Sequence, residues 1–283
     1  MIRSNLSLGD LENLKSYLKE NEDSSQFLIN NLNAFGPNFT EHPNSGNFKI
    51  LVEKNQIKGV FCLTRRGNLL AQFDSFNFKI QEVLDSCEQE NIPIKGFIGD
   101  WKSVHPIFEA FKEKNPGFDT LLKSKEFLFK INLKMKTSEF VHCRSVRHLL
   151  ESDFEAWFNC HLSYNEELHL PNQLSKEQIR EDYLLRTQNN GIWGYFDDNK
   201  LISTCGLNSN TSDVGQVNGV FTIKEFRRKG LSRSTMLHML KDCRDDLNHR
   251  KSILFTGEKD LPAQKLYDSI GYERIGSFAL IFL

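Results

Sequence analysis

Val217-Asn218-Gly219-Val220-Phe221-Thr222-Ile223-Lys224-Glu225-Phe226-Arg227-Arg228-Lys229-Gly230-Leu231-Ser232 is the stretch on which the reading of this chain turns. A β-rich run ends at Ile223, a short polar turn brings three adjacent cations and a glycine, and an amphipathic helix starts at once. The start of a helix presents up to four unpaired backbone N–H groups and about half a positive charge, which makes it an anion site. Gly230 removes a Cβ that would hold a phosphate away from the backbone. Ser232 is small for the same reason and adds a hydroxyl, while Arg227, Arg228, Lys229 and Arg233 supply charge. A hydrogen bond to a charged group is worth ~1.5–3 kcal/mol, so three or four hold a diphosphate even after its desolvation. On charge and glycine alone, a basic surface turn that opens a helix is an equally good reading.

Around this stretch the second half of the chain alternates strands and helices. Strands are expected over 142–147, 193–196, 201–208, 215–223, 252–256 and 277–282, and helices over 152–162, 176–187 and 262–270. The helix after the basic turn faces its core with Met236, Leu237, Leu240, Cys243 and Leu247. The first half has nearly the same order. Leu11, Leu14 and Leu18, then Phe27, Leu28 and Leu32, mark an interrupted helical region over 8–34. Strands over 47–53, 57–64 and 68–73, a helix over 80–89, a strand over 94–98, a helix over 104–114 and a strand over 127–133 follow. The polar stretch 134–139 is the expected linker between a domain over 1–136 and one over 137–283. No repeat of residues accompanies this repeat of elements.

Composition narrows the function. With 36 Lys plus Arg against 37 Asp plus Glu, the chain lacks the positive field that bulk nucleic-acid binding needs. Its 23 Phe residues suit a packed globular protein. The six cysteines are scattered without zinc spacing and read as buried thiols of a reducing, cytoplasmic protein. The N-terminus has charges throughout and no signal-peptide core, and no apolar run approaches the ~20 residues of a membrane span.

The spacing Arg227-x-x-Gly230-x-Ser232 resembles the (Arg/Gln)-x-x-Gly-x-(Gly/Ala) signature of the GNAT acyltransferases, with Ser in the last place and Lys224 where proline is common. Asp260-x-x-Ala263-x-x-Leu266-Tyr267-x-x-x-Gly271-Tyr272 resembles the family's second pattern, with Asp260 where Asn is usual. The resemblance covers about 140–283, and the Gly-Val-Phe-Thr lead-in is most similar to the glycine-N-acyltransferase-like branch. It implies an α/β fold of two GNAT-like domains, each a mixed, mostly antiparallel sheet flanked by helices, the first degenerate and shaping the acceptor pocket of the second. It implies acetyl-CoA (coenzyme A) as the acyl donor and a small amine or amino acid as acceptor. By the same resemblance Phe221, Thr222 and Ile223 pair with pantetheine, the amides of Arg228, Lys229, Gly230, Leu231, Ser232 and Arg233 cradle the pyrophosphate, and Asp260 and Ala263 lie at the cofactor.

Acyl transfer to an amine needs a neutral nucleophile, a stabilised oxyanion and a protonated leaving thiolate. A backbone N–H near Phe221–Ile223 is the natural oxyanion donor, and Tyr267 is the candidate acid for the thiolate, packing against the cofactor being its plainer role. The base is open among Asp213, Gln216, Asn218, Glu166, Glu167 and His169. His142, His148, His161 and His238 show no metal spacing. Two other functions compete. One is an aminoacyl-tRNA-dependent relative, against which the intact basic turn and neutral charge count; the other is a non-catalytic coenzyme-A-binding module.

Overall fold

The computed structural model describes residues 1–74, 79–135, 140–168, 174–208 and 213–283. Residues 1–128 with 276–283 pack as one unit and residues 129–275 as another. The expected linker lies largely outside the described residues, as does His169.

In the first unit the chain runs β1 (Ile2–Arg3), α1 (Leu8–Glu20), α2 (Gln26–Phe35), β2 (Gly46–Glu53), β3 (Gln56–Thr64), β4 (Asn68–Phe73), α3 (Ile80–Glu88), β5 (Gly96–Asp100) and α4 (Trp101–Lys114). Ser7 and Asp10 form a reciprocal capping box that starts α1. Asp100 accepts from the Ser103 N–H, so α4 begins at Trp101, three residues before the expected start. β2, β3 and β4 pair antiparallel and β4 with β5 parallel. Phe61, Leu63, Phe97, Val104 and Ile107 pack the core between this sheet and its helices. β6 (Leu122–Asn132) begins in this unit and ends in the other.

The second unit contains β7 (Val146–His148), α5 (Phe154–Glu167), α6 (Lys176–Gln188), β8 (Ile192–Asp197), β9 (Lys200–Leu207), β10 (Val214–Thr222), α7 (Leu231–Asp245), β11 (Lys251–Gly257), α8 (Leu261–Ile270) and the start of β12 (Glu273–Phe282). From Gly276 onward β12 belongs to the first unit, where it pairs antiparallel with β5. Strands β7 to β10 are antiparallel neighbours and β10 pairs with β11 in parallel. Asp198 and Asn199, both at positive φ, make the tight turn that joins β8 to β9. One face of the sheet packs Ile192, Leu201 and Phe221 against Trp157 and Cys160 of α5 and Ile179 and Tyr183 of α6. Met236, Met239, Leu240 and Cys243 of α7 are fully buried.

The α/β architecture of mixed sheets flanked by helices is as the sequence predicts. Two details differ. Leu247 lies beyond the end of α7, where the chain folds back so that the Leu247 N–H bonds the Asp242 carbonyl and the His249 N–H bonds that of Cys243. The strand expected over 142–147 is confined to 146–148, and the Val146 N–H instead closes a turn onto the Cys143 carbonyl.

Candidate active site

β10 is held to β11 only over 214–216, opposite 251–253; past Gln216 the pairing ends while both strands continue. On its other edge β10 carries a bulge. Asn218 lies opposite Gly206 and Phe221 opposite Thr204, so two residues, Gly219 and Val220, face the single Cys205. Gly219 makes this possible with a φ of 60°. Beyond the bulge the Ile223 N–H bonds the Ile202 carbonyl at 3.0 Å. Alternation along the strand then turns the N–H and C=O of Thr222 away from β9, toward the gap. The gap therefore opens on the Thr222 N–H, which is turned from β9 and can pair with an extended ligand.

The basic turn follows. Arg228 and Gly230 both have positive φ, 62° and 77°. Gly230 is the N-cap of α7 and lends it no side-chain cap, so the first amides of the helix are left to solvent or ligand. A Cβ built on Gly230 meets nothing within 4 Å. Within the protein, glycine is therefore required by the left-handed backbone rather than by crowding. Arg228, Lys229 and Arg233 are exposed. Lys229 Nζ lies 5.2 Å above the Phe226 ring, and Arg233 reaches the Ser269 carbonyl at 3.4 Å.

Arg227 points away from the turn that it opens. Its Nε donates to the Thr222 carbonyl at 2.8 Å and its Nη2 contacts both Glu167 carboxylate oxygens, at 2.6 and 2.9 Å. The guanidinium also lies 5.4 Å above the Phe221 ring. The side chain fastens the end of β10 to α5.

A line of hydroxyls ties the same strand end to α7. Ser203 Oγ donates to the Phe221 carbonyl at 2.9 Å, and Thr222 Oγ1 donates to Ser203 Oγ at 2.8 Å. Each hydroxyl has one proton, so Ser232 is the donor in its 2.6 Å contact with Thr222 Oγ1. The Ser232 proton is thereby committed inward, and only the oxygen's remaining acceptor capacity faces outward. Ser203 is fully buried and nothing in its local sequence singles it out; the register that puts it opposite Thr222 does.

Tyr267 is buried on α8, its ring edge-on to Phe129 at 5.8 Å and to Tyr272 at 6.0 Å. Its hydroxyl makes no hydrogen bond to another described residue. Burial above all, with Tyr164, Asp260, Tyr272 and Cys205 around it, pushes its pKa well above the usual tyrosine value. Tyr267 is thus held protonated, and no described residue accepts its proton. Tyr164, unremarked in the sequence, stands on α5 with its ring edge-on to Phe221 at 6.4 Å, and so joins the β10 end to the Tyr267 neighbourhood. Asp260 caps α8 by accepting from the Ala263 N–H at 3.1 Å.

Of the base candidates, Asp213 is paired with Arg250 at 2.7 Å and Glu167 with Arg227. Gln216 is buried, with its Oε1 unpartnered. Asn218 accepts from Arg186 Nη2 at 2.9 Å and donates to Asn208. Among the described residues no group of three or more His, Cys, Asp or Glu is placed to hold a metal ion. Six free cysteines are present, five of them buried and Cys143 partly exposed.

Residues 145–272 match the acetyltransferase (GNAT) family. The match takes in a little under half of the chain. The motif-bearing turn, the bulged strand and α8 all lie within it. Three solved structures resemble the whole chain in fold. A Drosophila protein has a TM-score of 0.68 at 15% identity, covering 100% of this chain and 98% of its own. A GCN5-related N-acetyltransferase from Sphaerobacter thermophilus has a TM-score of 0.63 at 11% identity, with coverages of 99% and 94%. A GNAT-family acetyltransferase from Colwellia psychrerythraea has a TM-score of 0.58 at 14% identity, with coverages of 100% and 98%. No curated protein matches significantly. The family match supports an N-acetyltransferase activity, in a family that generally uses acetyl-CoA. No helix among the described residues is long and apolar enough to cross a membrane.

Proposed function

We propose that the chain transfers an acyl group, acetyl from acetyl-CoA, directly to the primary amine of a small molecule or amino acid. The observation that carries this is the opening between β10 and β11 beside a helix start without a side-chain cap. An extended pantetheine fits along Phe221, Thr222 and Ile223, where the Thr222 N–H faces the gap, and a diphosphate fits the amides of 228–233. The Thr222 N–H, turned into the gap, is the oxyanion donor. As the amine nitrogen attacks, the C–N bond forms and the C–S bond breaks. The amine's proton leaves to solvent and the departing thiolate takes the proton of Tyr267, which solvent then restores.

The GNAT domain belongs to the glycine-N-acyltransferase-like branch in this reading, and the first half is a degenerate relative of it. The support is order: β4 and β5 are parallel with α3 between them, as β10 and β11 are with α7 between them. A division of the chain near 136 and residence in the cytoplasm, where six free thiols persist, complete the proposal. The test is thiol release from acetyl-CoA over an amine panel, with calorimetry for binding. Turnover with any primary amine supports it; tight binding with no release under any acceptor replaces it with a coenzyme-A-binding module.

A further inference from the structure

Arg186 stands apart from the arginines of the basic turn. It lies at the end of α6 with its side chain only 16% exposed, and its nearest carboxylate, Asp182, is 3.7 Å away and 58% exposed. Nη2 donates to Asn218 Oδ1 at 2.9 Å, while Nε is buried without a partner among the described residues. Gly206 is what admits the guanidinium to the sheet, since a Cβ there would stand 2.6 Å from Nη2. His161, which feels the Arg186 charge, adds no negative charge. Burial lowers the Arg186 pKa, as expected of a cation short of counter-charge. A desolvated guanidinium so poorly compensated is costly unless an anion completes it.

The bulge decides where that anion would sit. Gly206 and Thr204, two residues apart on β9, share a face, so their partners Asn218 and Phe221 share one too, although they are three apart on β10. Arg186 therefore lies on the Phe221 face, one rung from the residue that borders the proposed thioester site. A rung of two residues spans ~6.8 Å. An acceptor whose amine and carboxylate are separated by one or two carbons bridges that distance with its amine toward the thioester. Asn218 is held by its bond to Asn208 with Oδ1 toward Arg186, which leaves other guanidinium donors for a planar carboxylate.

We infer that Arg186 is the acceptor-recognition residue, and that the acceptor is an amino-acid-type amine whose carboxylate it binds. This rests on the acyltransferase reading. The experiment compares L-alanine and L-phenylalanine with L-alaninamide and L-phenylalaninamide, in wild type, Arg186→Met and Asn218→Asp. Wild type is expected to favour the acids at least tenfold in kcat/KM. In Arg186→Met that preference disappears through KM, with acetyl-CoA affinity unchanged. Asn218→Asp sets a carboxylate against the guanidinium and abolishes the preference likewise. Comparing enzymes on the same substrates cancels the different basicities of acids and amides. The inference is overturned if wild type, with rates referred to the neutral-amine fraction of each substrate, uses the amides as well as the acids, a result that needs no variant, or if a folded Arg186→Met keeps the preference. Absence of acetyl-CoA binding, or of thiol release with every amine, would instead bring down the acyltransferase reading beneath it.

Discussion

Gly230→Ala separates what the backbone needs from what a ligand needs. At a φ of 77° the residue is left-handed, and an L side chain there costs ~1–2 kcal/mol. Nothing lies within 4 Å of the added methyl, so no clash enlarges that cost. At about 2–4 °C per kcal/mol for a protein approaching this size, the melting temperature should fall by ~2–8 °C. Binding should suffer separately. If a phosphate packs on the amides beside Gly230, the methyl displaces it from at least one charge-assisted hydrogen bond worth ~1.5–3 kcal/mol. That weakens coenzyme A roughly 10- to 100-fold, since 1.4 kcal/mol is tenfold. Calorimetry with coenzyme A and with acetylpantetheine, which has no pyrophosphate, reads the two effects apart, and scanning calorimetry gives stability. Gly230→Asn adds a control, because asparagine tolerates the left-handed region. It should recover much of the stability and none of the affinity. Coenzyme A binding within twofold of wild type in a folded Gly230→Ala protein would refute the placement of the diphosphate. Equal weakening of acetylpantetheine would refute it too, as it would point to general disturbance of the site.

Tyr267→Phe should lower kcat by ~10²–10⁴ with little change in melting temperature, because the hydroxyl bonds to no described residue. Its pKa lies above the ordinary 10.0, so it stays protonated through that pH. Tyr267's share of stability is complete below the unfolded value and is lost only as pH rises through the higher folded one. A wild-type kcat that falls around pH 9–10 with Tyr267 as the titrating group, traced by its absence in the Phe variant, would contradict the burial argument. Thr222→Val removes two links of the hydroxyl line and should cost ~1–3 kcal/mol in urea unfolding, at ~0.5–1.5 kcal/mol per bond; a loss below measurement would mean that the line carries no stability. Asp260→Ala should cost ~0.5–2 kcal/mol through the lost α8 cap, and Asp260→Asn should restore most of it. Equal losses in the two variants would show that charge, not capping, is what Asp260 supplies.

The strands and helices were legible because their signals are local. Short runs of mostly apolar residues mark β3 and β9, and the capping pairs Ser7–Asp10 and Ser175–Gln178 sit where α1 and α6 begin. The helix over 104–114 was placed late because its start depends on Asp100 capping rather than on apolar spacing. Arg227 shows the limit most clearly. Its charge and place in the motif made it a phosphate ligand in the sequence, and its side chain is instead spent on the Thr222 carbonyl and Glu167, 60 residues earlier.

What the sequence determined alone was the basic turn, its glycine and the order of elements around it, since each depends on residues within one or two helical turns. Tertiary structure decided which groups meet there. Ser203 reaches Thr222 through β-ladder register, Tyr164 reaches Phe221 through the packing of α5, and Arg186 reaches Asn218 through the small size of Gly206. The extra bulge residue turns Asn218 and Phe221 to one face. It also fell to the tertiary structure that the chain's last residues, 276–283, complete the unit its first residues begin. Such pairings rest on hydrogen bonds and contacts between distant segments, and no local pattern of residues encodes which segments will be neighbours.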